Sequence, residues 1–178
     1  NGGKTGSWKG KMGAAKSIPK VTMPTFDVDE MLAADEINNQ NKAIPFRFGY
    51  EHVVELNLQN SGDWTILPSG AQVWRLHVKS EGAISLNLIF NDFLLANGAN
   101  LSMYTLDKSV MQGAYTAANN NENEMLGSYL MPGEEMIVEL FEPANTSTPS
   151  RLQIGTIVHG YKDINDWVPE KINESGGC

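Results

Sequence analysis

Every second residue from Phe46 to Leu58 carries a large, mostly apolar side chain, and this alternation constrains the fold more than any other feature. The set is Phe46, Phe48, Tyr50, His52, Val54, Leu56 and Leu58. Successive side chains of a β-strand point to opposite faces of a sheet, so a period of two over this length predicts a long strand with one buried face. The same rhythm recurs at 74–78, 84–90 and 136–140, and residues 152–161 predict one more strand.

The segments between these runs are rich in Gly, Pro, Asn and Ser, which favour turns. They include "QNSGD", "LPSGA", "ANGAN" and "MPGEE". Short strands joined by such turns, without a long helix to support a parallel sheet, predict an all-β fold: an antiparallel two-sheet β-sandwich, jelly-roll-like. Asp27 followed by Glu30 fits the start of a helix, so we expect a short N-terminal helix from about Val28 to Asn39. The Asn-rich residues 119–124 predict an exposed loop.

The charge is unevenly distributed along the chain. Residues 1–20 hold five lysines and no acidic residue, whereas the whole chain has a net charge of −8. An acidic body repels phosphate backbones, so we expect no nucleic-acid partner for the folded part. The Gly-, Ser- and Lys-rich residues 1–21 predict a flexible basic tail, although contact of this tail with nucleic acid or anionic lipid remains an alternative. Apolar runs fall far short of the roughly 20 residues that cross a bilayer, so we expect no membrane partner.

The three histidines offer little support for catalysis. His52 lies in the apolar phase of its strand, which predicts a partly buried and satisfied ring. His77 lies in the polar phase beside Arg75 and Lys79, which predicts exposure to solvent, and His159 lies at a strand end where the sequence assigns it no role. No G-x-S-x-G elbow surrounds a serine. We therefore expect no catalytic residue in this chain.

Metal, cofactor and glycan sites are weakly indicated. One cysteine and three separated histidines do not fit a zinc pattern. Oxygen ligands cluster at 27–30, 119–124 and 163–167, but none of these segments matches a calcium-binding EF-hand loop, so solvated turns are favoured over a structural calcium. No Gly-rich phosphate loop is present, and we expect neither metal nor cofactor. Trp64 is the candidate for a surface ring that stacks on sugars, whereas Trp74 shares the core phase of its strand.

Taken together, several segments resemble the N-terminal pro-region of secreted bacterial lysyl endopeptidases, which are serine proteases of the trypsin fold. They are "TMPTFDVD", "IPFRFGYEH", "QNSGDW", "GAQVWRLHVKSEGAISLNLIFNDFLLANGANLSMY", "YTAANNN", "MPGEEMIVEL" and "HGY", in that order. The resemblance runs from about Thr22 to Cys178, and "VWRLHVKSEGAISLNLIF" is its most specific part. It implies a secreted pro-domain that assists folding of its cognate protease domain and holds it latent.

The resemblance also implies a meaning for the last residues of the chain. In that family the mature protease begins just after a lysine and carries a cysteine a few residues later. Lys171 followed by "INESGGC" resembles this junction, with Ile172 as the new N-terminus and Cys178 in a disulfide with a protease domain beyond this chain, where the catalytic residues would also lie. Pro169 favours extended backbone before Lys171, while Lys162, next to the last predicted strand, is a second candidate for cleavage.

The expected organisation is thus a tail at 1–21, a β-sandwich pro-domain at 22–162, and a linker with the processing junction at 163–178. Two other classes of function stay open. An accessory sandwich that remains attached to a secreted protease would bind glycan or protein, and it would persist in the mature product. A self-sufficient enzyme would need activity that disappears when His52 or His159 is replaced.

Overall fold

The protein is mostly β, with one α-helix beside two sheets. The structure, a computed structural model, describes residues 17–41, 43 and 45–163. Helix α1 spans Val28–Asn38, and a single 3-10 turn spans Ala117–Asn119. The strands within the described residues are β1 Lys20–Thr22, β2 Gly49–Asn57, β3 Asp63–Ile66, β4 Gln72–Lys79, β5 Ser85–Leu94, β6 Asn100–Tyr104, β7 Met111–Tyr115, β8 Leu126–Gly127, β9 Met131–Pro132, β10 Glu135–Glu142 and β11 Arg151–Gly160.

The strands form two sheets in which nearly all neighbours are antiparallel. Sheet one has the order β1-β4-β10-β6-β7, with β3 paired to a different part of β4. Sheet two has the order β2-β11-β5-β8, with β9 also paired to β5. Among the described pairs, only β1 and β4 run parallel. Most neighbours in a sheet are therefore distant in sequence, and long-range pairing dominates the fold.

Both sheets contribute side chains to one hydrophobic core. Sheet one supplies a row that includes Trp74, Leu76, Val78, Leu101, Met103, Met136, Val138 and Leu140, and sheet two supplies Leu86, Leu88, Phe90, Phe93, Leu152, Ile154 and Ile157. These side chains are almost completely removed from solvent. The side chains predicted to point inward from β4, β5 and β10 do lie in this core. The prediction succeeds because side chains alternate between the two faces of a strand, so every second apolar residue falls on the same face.

The structure refines the predicted boundaries. Strand β2 begins at Gly49, so Phe46 and Phe48 precede the strand instead of opening it. Ile84 lies before β5 and is 47% exposed, although it continues the apolar alternation. Strand β1 begins at Lys20, so the sheet includes residues that the sequence pattern assigns to the basic tail.

The predicted helix start and the Asn-rich loop are confirmed. The Asp27 side chain accepts a hydrogen bond from the Glu30 N–H at 3.0 Å, as a residue capping a helix N-terminus does. Residues 121–124 are exposed, whereas Asn120 turns inward. The Asn120 side chain accepts from the Leu95 N–H at 2.8 Å and donates to the Leu95 carbonyl at 2.9 Å, so one amide side chain attaches this loop to the end of β5.

Sheet one is also buried on the face that points away from the core. Arg75 and Glu139 are directly opposite each other on β4 and β10, and the Arg75 Nε donates to a Glu139 carboxylate oxygen at 2.9 Å. The Tyr104 hydroxyl, on β6, donates to the same oxygen at 2.9 Å. Glu139 is 1% exposed. A buried ion pair therefore links the three central strands of sheet one through their side chains.

The ends of β2 and β11 approach each other closely where the chain leaves sheet two. Gly49 is paired with Gly160, and a Cβ at Gly49 would lie 2.7 Å from the His159 carbonyl oxygen. The absence of a side chain at Gly49 allows this approach. Immediately beyond Gly160, the Tyr161 and Lys162 N–H groups both donate to the Phe48 carbonyl at 3.1 Å. The chain is thus held against the start of β2 as it leaves the last strand.

Candidate functional site: the clamp where the chain leaves the last strand

Four charged or polar side chains meet just beyond the end of β11, and we call this group the exit clamp. Asp35 comes from helix α1, Arg47 from the segment before β2, and Tyr161 and Lys162 from the residues after β11. These segments are far apart in sequence, and the pairing of β2 with β11 brings two of them together. The clamp lies at the point where the described part of the chain passes into residues 164–178.

The carboxylate of Asp35 is the centre of the exit clamp. One of its oxygens, Oδ1, accepts from Arg47 Nε at 2.8 Å and lies 2.6 Å from Arg47 Nη2. The other, Oδ2, accepts from the Tyr161 hydroxyl at 2.8 Å and from Lys162 Nζ at 2.5 Å. The Asp35 side chain is only 3% exposed. A carboxylate this buried needs charged or hydrogen-bonding partners, and both of its oxygens have them.

Lys162 is held by more than its bond to Asp35. Its Nζ also lies 3.3 Å from the Arg47 carbonyl oxygen, which accepts a second hydrogen bond. The same ammonium lies 5.2 Å from the centroid of the Phe46 ring and 5.7 Å from that of the Tyr161 ring, within the range of a cation–π contact. The Lys162 side chain is 18% exposed. This lysine therefore points its charge into the protein.

The exit clamp favours a defined protonation state. Burial alone raises the pKa of Asp35, but the hydrogen bonds from Lys162, Tyr161 and Arg47 outweigh burial and bring that pKa below its ordinary value. Burial, followed by the bond to the Asp35 carboxylate, raises the pKa of Tyr161 to about 12. Near neutral pH the aspartate is therefore ionised and the phenol is a neutral donor, which is the combination that the observed hydrogen bonds require.

An aromatic cluster lies beside the exit clamp and fixes the segment that leads into α1. The Phe26 ring stacks on Tyr50 with centroids 4.3 Å apart and contacts His159 edge-on at 4.7 Å. It also makes edge contacts with His52 at 5.7 Å and with the clamp residue Tyr161 at 6.4 Å. Phe26 immediately precedes the helix cap Asp27, so these contacts fix the position from which the helix begins.

The two histidines of this cluster are buried and neutral near pH 7. His159 Nδ1 is hydrogen-bonded to the Ser80 hydroxyl at 2.8 Å, and the Nε2 atoms of His52 and His159 have no hydrogen-bond partner in the described part of the chain. Burial lowers the pKa of His52, and burial together with the nearby His52 lowers that of His159. Ser80 is 2% exposed. The Ser80–His159 pair is therefore buried together with the rest of this cluster.

The histidine and tryptophan expectations have mixed outcomes. His52 is buried as predicted, but the expectation of a satisfied ring is wrong, because its Nε2 has no hydrogen-bond partner in the described part of the chain. The expectation of an exposed His77 is also wrong: it is 7% exposed, and its Nε2 lies 2.9 Å from a Glu135 carboxylate oxygen. The prediction failed because the polar residues of β4 lie on the outer face of sheet one, and that face is also buried. Trp74 lies in the core as predicted. Trp64 is not a free surface ring, since it packs against the core and its Nε1 donates to the Leu58 carbonyl at 3.1 Å.

The other candidate residues fall partly outside the described chain. Within residues 17–41, 43 and 45–163, no group of three or more His, Cys, Asp or Glu side chains is arranged to hold a metal ion. Of the oxygen-rich segments, 27–30 forms the helix start and 119–124 the exposed loop, while only Asp163 of 163–167 is described. The proposed junction residues Lys171 and Ile172, and the terminal Cys178, lie outside the described residues.

The importance of Asp35 could have been noticed in the sequence. The half-buried residues Val28, Met31 and Leu32 share one face of α1, and Asp35 follows at the next position of that face. An acidic residue at the fourth position of an i, i+3, i+4, i+7 pattern indicates a buried carboxylate that needs a cation. The sequence gives no sign of which cation, because Arg47 and Lys162 reach Asp35 only through the pairing of β2 with β11.

Comparisons with known proteins do not assign this chain to a family. No protein-family model matches it, and no solved structure matches it. Within the part of the chain that the structure describes, no helix has both the length and the apolar character needed to span a membrane.

Proposed function

We propose that this chain is the pro-domain of a secreted lysyl endopeptidase-like serine protease. It assists folding of the cognate protease domain, keeps that domain latent, and is released by cleavage between Lys171 and Ile172. Cys178 belongs to the protease portion and forms its disulfide there. The proposal starts from the sequence resemblance, and the structure contributes a fold and an exit geometry that suit the role.

The fold that goes with this role is a jelly-roll β-sandwich. Eight strands are divided equally between the sheets, and their pairing is nested: β2 with β11, β4 with β10, β5 with β8 and β6 with β7. This pattern, in which the first strand pairs with the last and each inner pair lies within the previous one, supports a jelly-roll winding. It supports a domain that folds as a unit around its own core, which a separately folding pro-domain requires.

The exit clamp is the observation that carries the proposal furthest. A defined exit point keeps the processing junction that follows it within a limited distance of the folded domain. The clamp attaches Tyr161 and Lys162 to α1 and to the segment before β2. Lys171 follows Lys162 by nine residues, and a chain of that length spans at most about 32 Å. The clamp thereby limits how far the junction lies from the folded domain.

The structure does not favour the one residue that the sequence offers to a glycan-binding accessory module. Its sugar-binding candidate, Trp64, uses its ring against the core and its N–H on a backbone carbonyl. A carbohydrate that stacks on an aromatic ring needs an exposed face of that ring. Glycan binding therefore has no candidate residue left from the sequence argument, and the cognate protease domain remains the proposed partner.

The functional half of the proposal is tested by mixing the purified chain with the mature protease. We expect dose-dependent inhibition of peptide hydrolysis, and a higher yield of active enzyme when the denatured protease refolds in the presence of the chain. A matched control is bovine serum albumin at the same concentration, which corrects for nonspecific protection. No inhibition together with an unimproved refolding yield would reject the proposed function.

A further inference from the structure

Lysine-specific cleavage requires a lysine whose side chain and backbone are both free to enter the protease. A protease of this class binds its substrate as an extended segment and places the lysine ammonium in a deep pocket, so a folded segment has to open locally first. Lys162 and Lys171 were the two candidates for processing, and only Lys162 lies in the described part of the chain. Its environment can therefore be compared with what cleavage demands.

Lys162 is withheld from a protease in two ways. Its ammonium is bonded to the buried Asp35 carboxylate and to the Arg47 carbonyl, and it lies close to the Phe46 ring. Its backbone N–H donates to the Phe48 carbonyl, and so does that of Tyr161. Opening this segment therefore breaks side-chain and backbone bonds at once. It also leaves Asp35 without two of its donors.

We propose that Asp35 selects between the two candidate processing sites, by sequestering Lys162 and so leaving Lys171 as the site of cleavage. Asp35 acts as a positioning residue: it binds the Lys162 ammonium and so prevents Lys162 from entering the protease. The link to Lys171 rests on the proposed function, whereas the protection of Lys162 follows from the contacts of the exit clamp alone.

The geometry also explains why a carboxylate is suited to this task. The bonds from Arg47 and Tyr161 orient the Asp35 side chain from two sides, so that Oδ2 faces Lys162. An amide at this position would keep the shape but lose the charge that attracts the ammonium. Asp35→Asn is therefore the substitution that weakens the sequestration of Lys162 with the least change in packing.

The test uses limited digestion of the full 178-residue chain with an added lysine-specific endopeptidase, followed by mass spectrometry. In Asp35→Asn, the rate of cleavage after Lys162 should rise about tenfold or more relative to the unmodified chain. The matched control is Glu36→Gln, which makes the same change of charge at the next, exposed position of α1 and should leave this rate unchanged. Cleavage after Lys79, the last residue of β4, reports on unfolding of sheet one and should stay slow in both variants.

A second variant covers the case in which Asp35→Asn unfolds the protein. Tyr161→Phe removes one hydrogen bond to Asp35 and keeps the ring, and it should raise cleavage after Lys162 two- to fivefold with Lys79 still protected. Equal Lys162 cleavage in the unmodified chain and both variants would overturn the proposal, as would a rise at Lys162 that only accompanies a rise at Lys79. The digestion uses a protease that is not the cognate one, so it tests the protection of Lys162 independently of the proposed function. If Lys162 is protected in this digestion but the precursor is not cleaved after Lys171, the proposed function is rejected and the protection of Lys162 by Asp35 stands.

Discussion

Replacing Asp35 with alanine should lower the free energy of unfolding by about 2–4 kcal/mol at pH 7. The substitution removes a carboxylate that is 3% exposed and deprives Arg47, Tyr161 and Lys162 of their shared acceptor. The expected loss stays below that of a fully buried ion pair, because the Arg47 side chain is 39% exposed and regains water. Urea denaturation followed by tryptophan fluorescence measures the difference.

The effect of Asp35→Ala should also depend on pH in a defined direction. Because the folded-state pKa of Asp35 lies below its ordinary value, the clamp stabilises the fold above about pH 4, and its contribution is lost as the pH falls through the folded-state pKa. The difference in the free energy of unfolding between the unmodified chain and Asp35→Ala should therefore be largest at pH 7 and should become smaller below pH 4. Glu36→Ala, an exposed neighbour on α1, should change stability by no more than about 0.5 kcal/mol. If Asp35→Ala lowers the free energy of unfolding at pH 7 by no more than Glu36→Ala does, the result would contradict the described contacts of the exit clamp.

Replacing Glu139 with glutamine should lower the free energy of unfolding by about 3–5 kcal/mol. Glu139 is 1% exposed, and its carboxylate accepts from Arg75 and Tyr104 on the two neighbouring strands. The neutral amide keeps the volume of the side chain but leaves the buried guanidinium of Arg75 without its ionic partner on β10. Chemical denaturation provides the measurement, and Glu55→Gln, an exposed carboxylate on β2, serves as the control.

A double variant separates the charge from the shape of this pair. Arg75→Met combined with Glu139→Leu removes both charges and fills the space with apolar side chains, so it should be more stable than Glu139→Gln. If Glu139→Gln costs no more than Glu55→Gln, the ion pair does not contribute to the stability of sheet one as described.

The strands that were predicted correctly are those whose burial shows in their own sequence. The alternation in β4, β5 and β10 could be read directly, because each has one face in the core. Strands β1, β8 and β9 have only two or three residues, too few to show a period. The nested pairing of the sheets could not be derived either, since β2 and β11 are neighbours separated by almost the whole domain.

The sequence also predicts the candidate site only in part. The position of a histidine on a strand shows which face of the sheet it occupies but not what covers that face. The sequence therefore predicts an exposed His77, whereas the structure buries it beside Glu135. The sequence presents Lys162 only as a second candidate for cleavage. Its partner Asp35 lies 127 residues away in sequence, and only the folded chain brings the two together.

The most direct test of the central claim is the N-terminal sequence of the mature product. The complete coding sequence that contains this chain should be expressed in a secreting host, and the active product should be purified and sequenced from its N-terminus. We predict a product that begins at Ile172 and lacks residues 22–162, together with a separate fragment that ends at Lys171. A mature product that still contains residues 22–162 would contradict the pro-domain account and return the domain to the class of accessory binding modules.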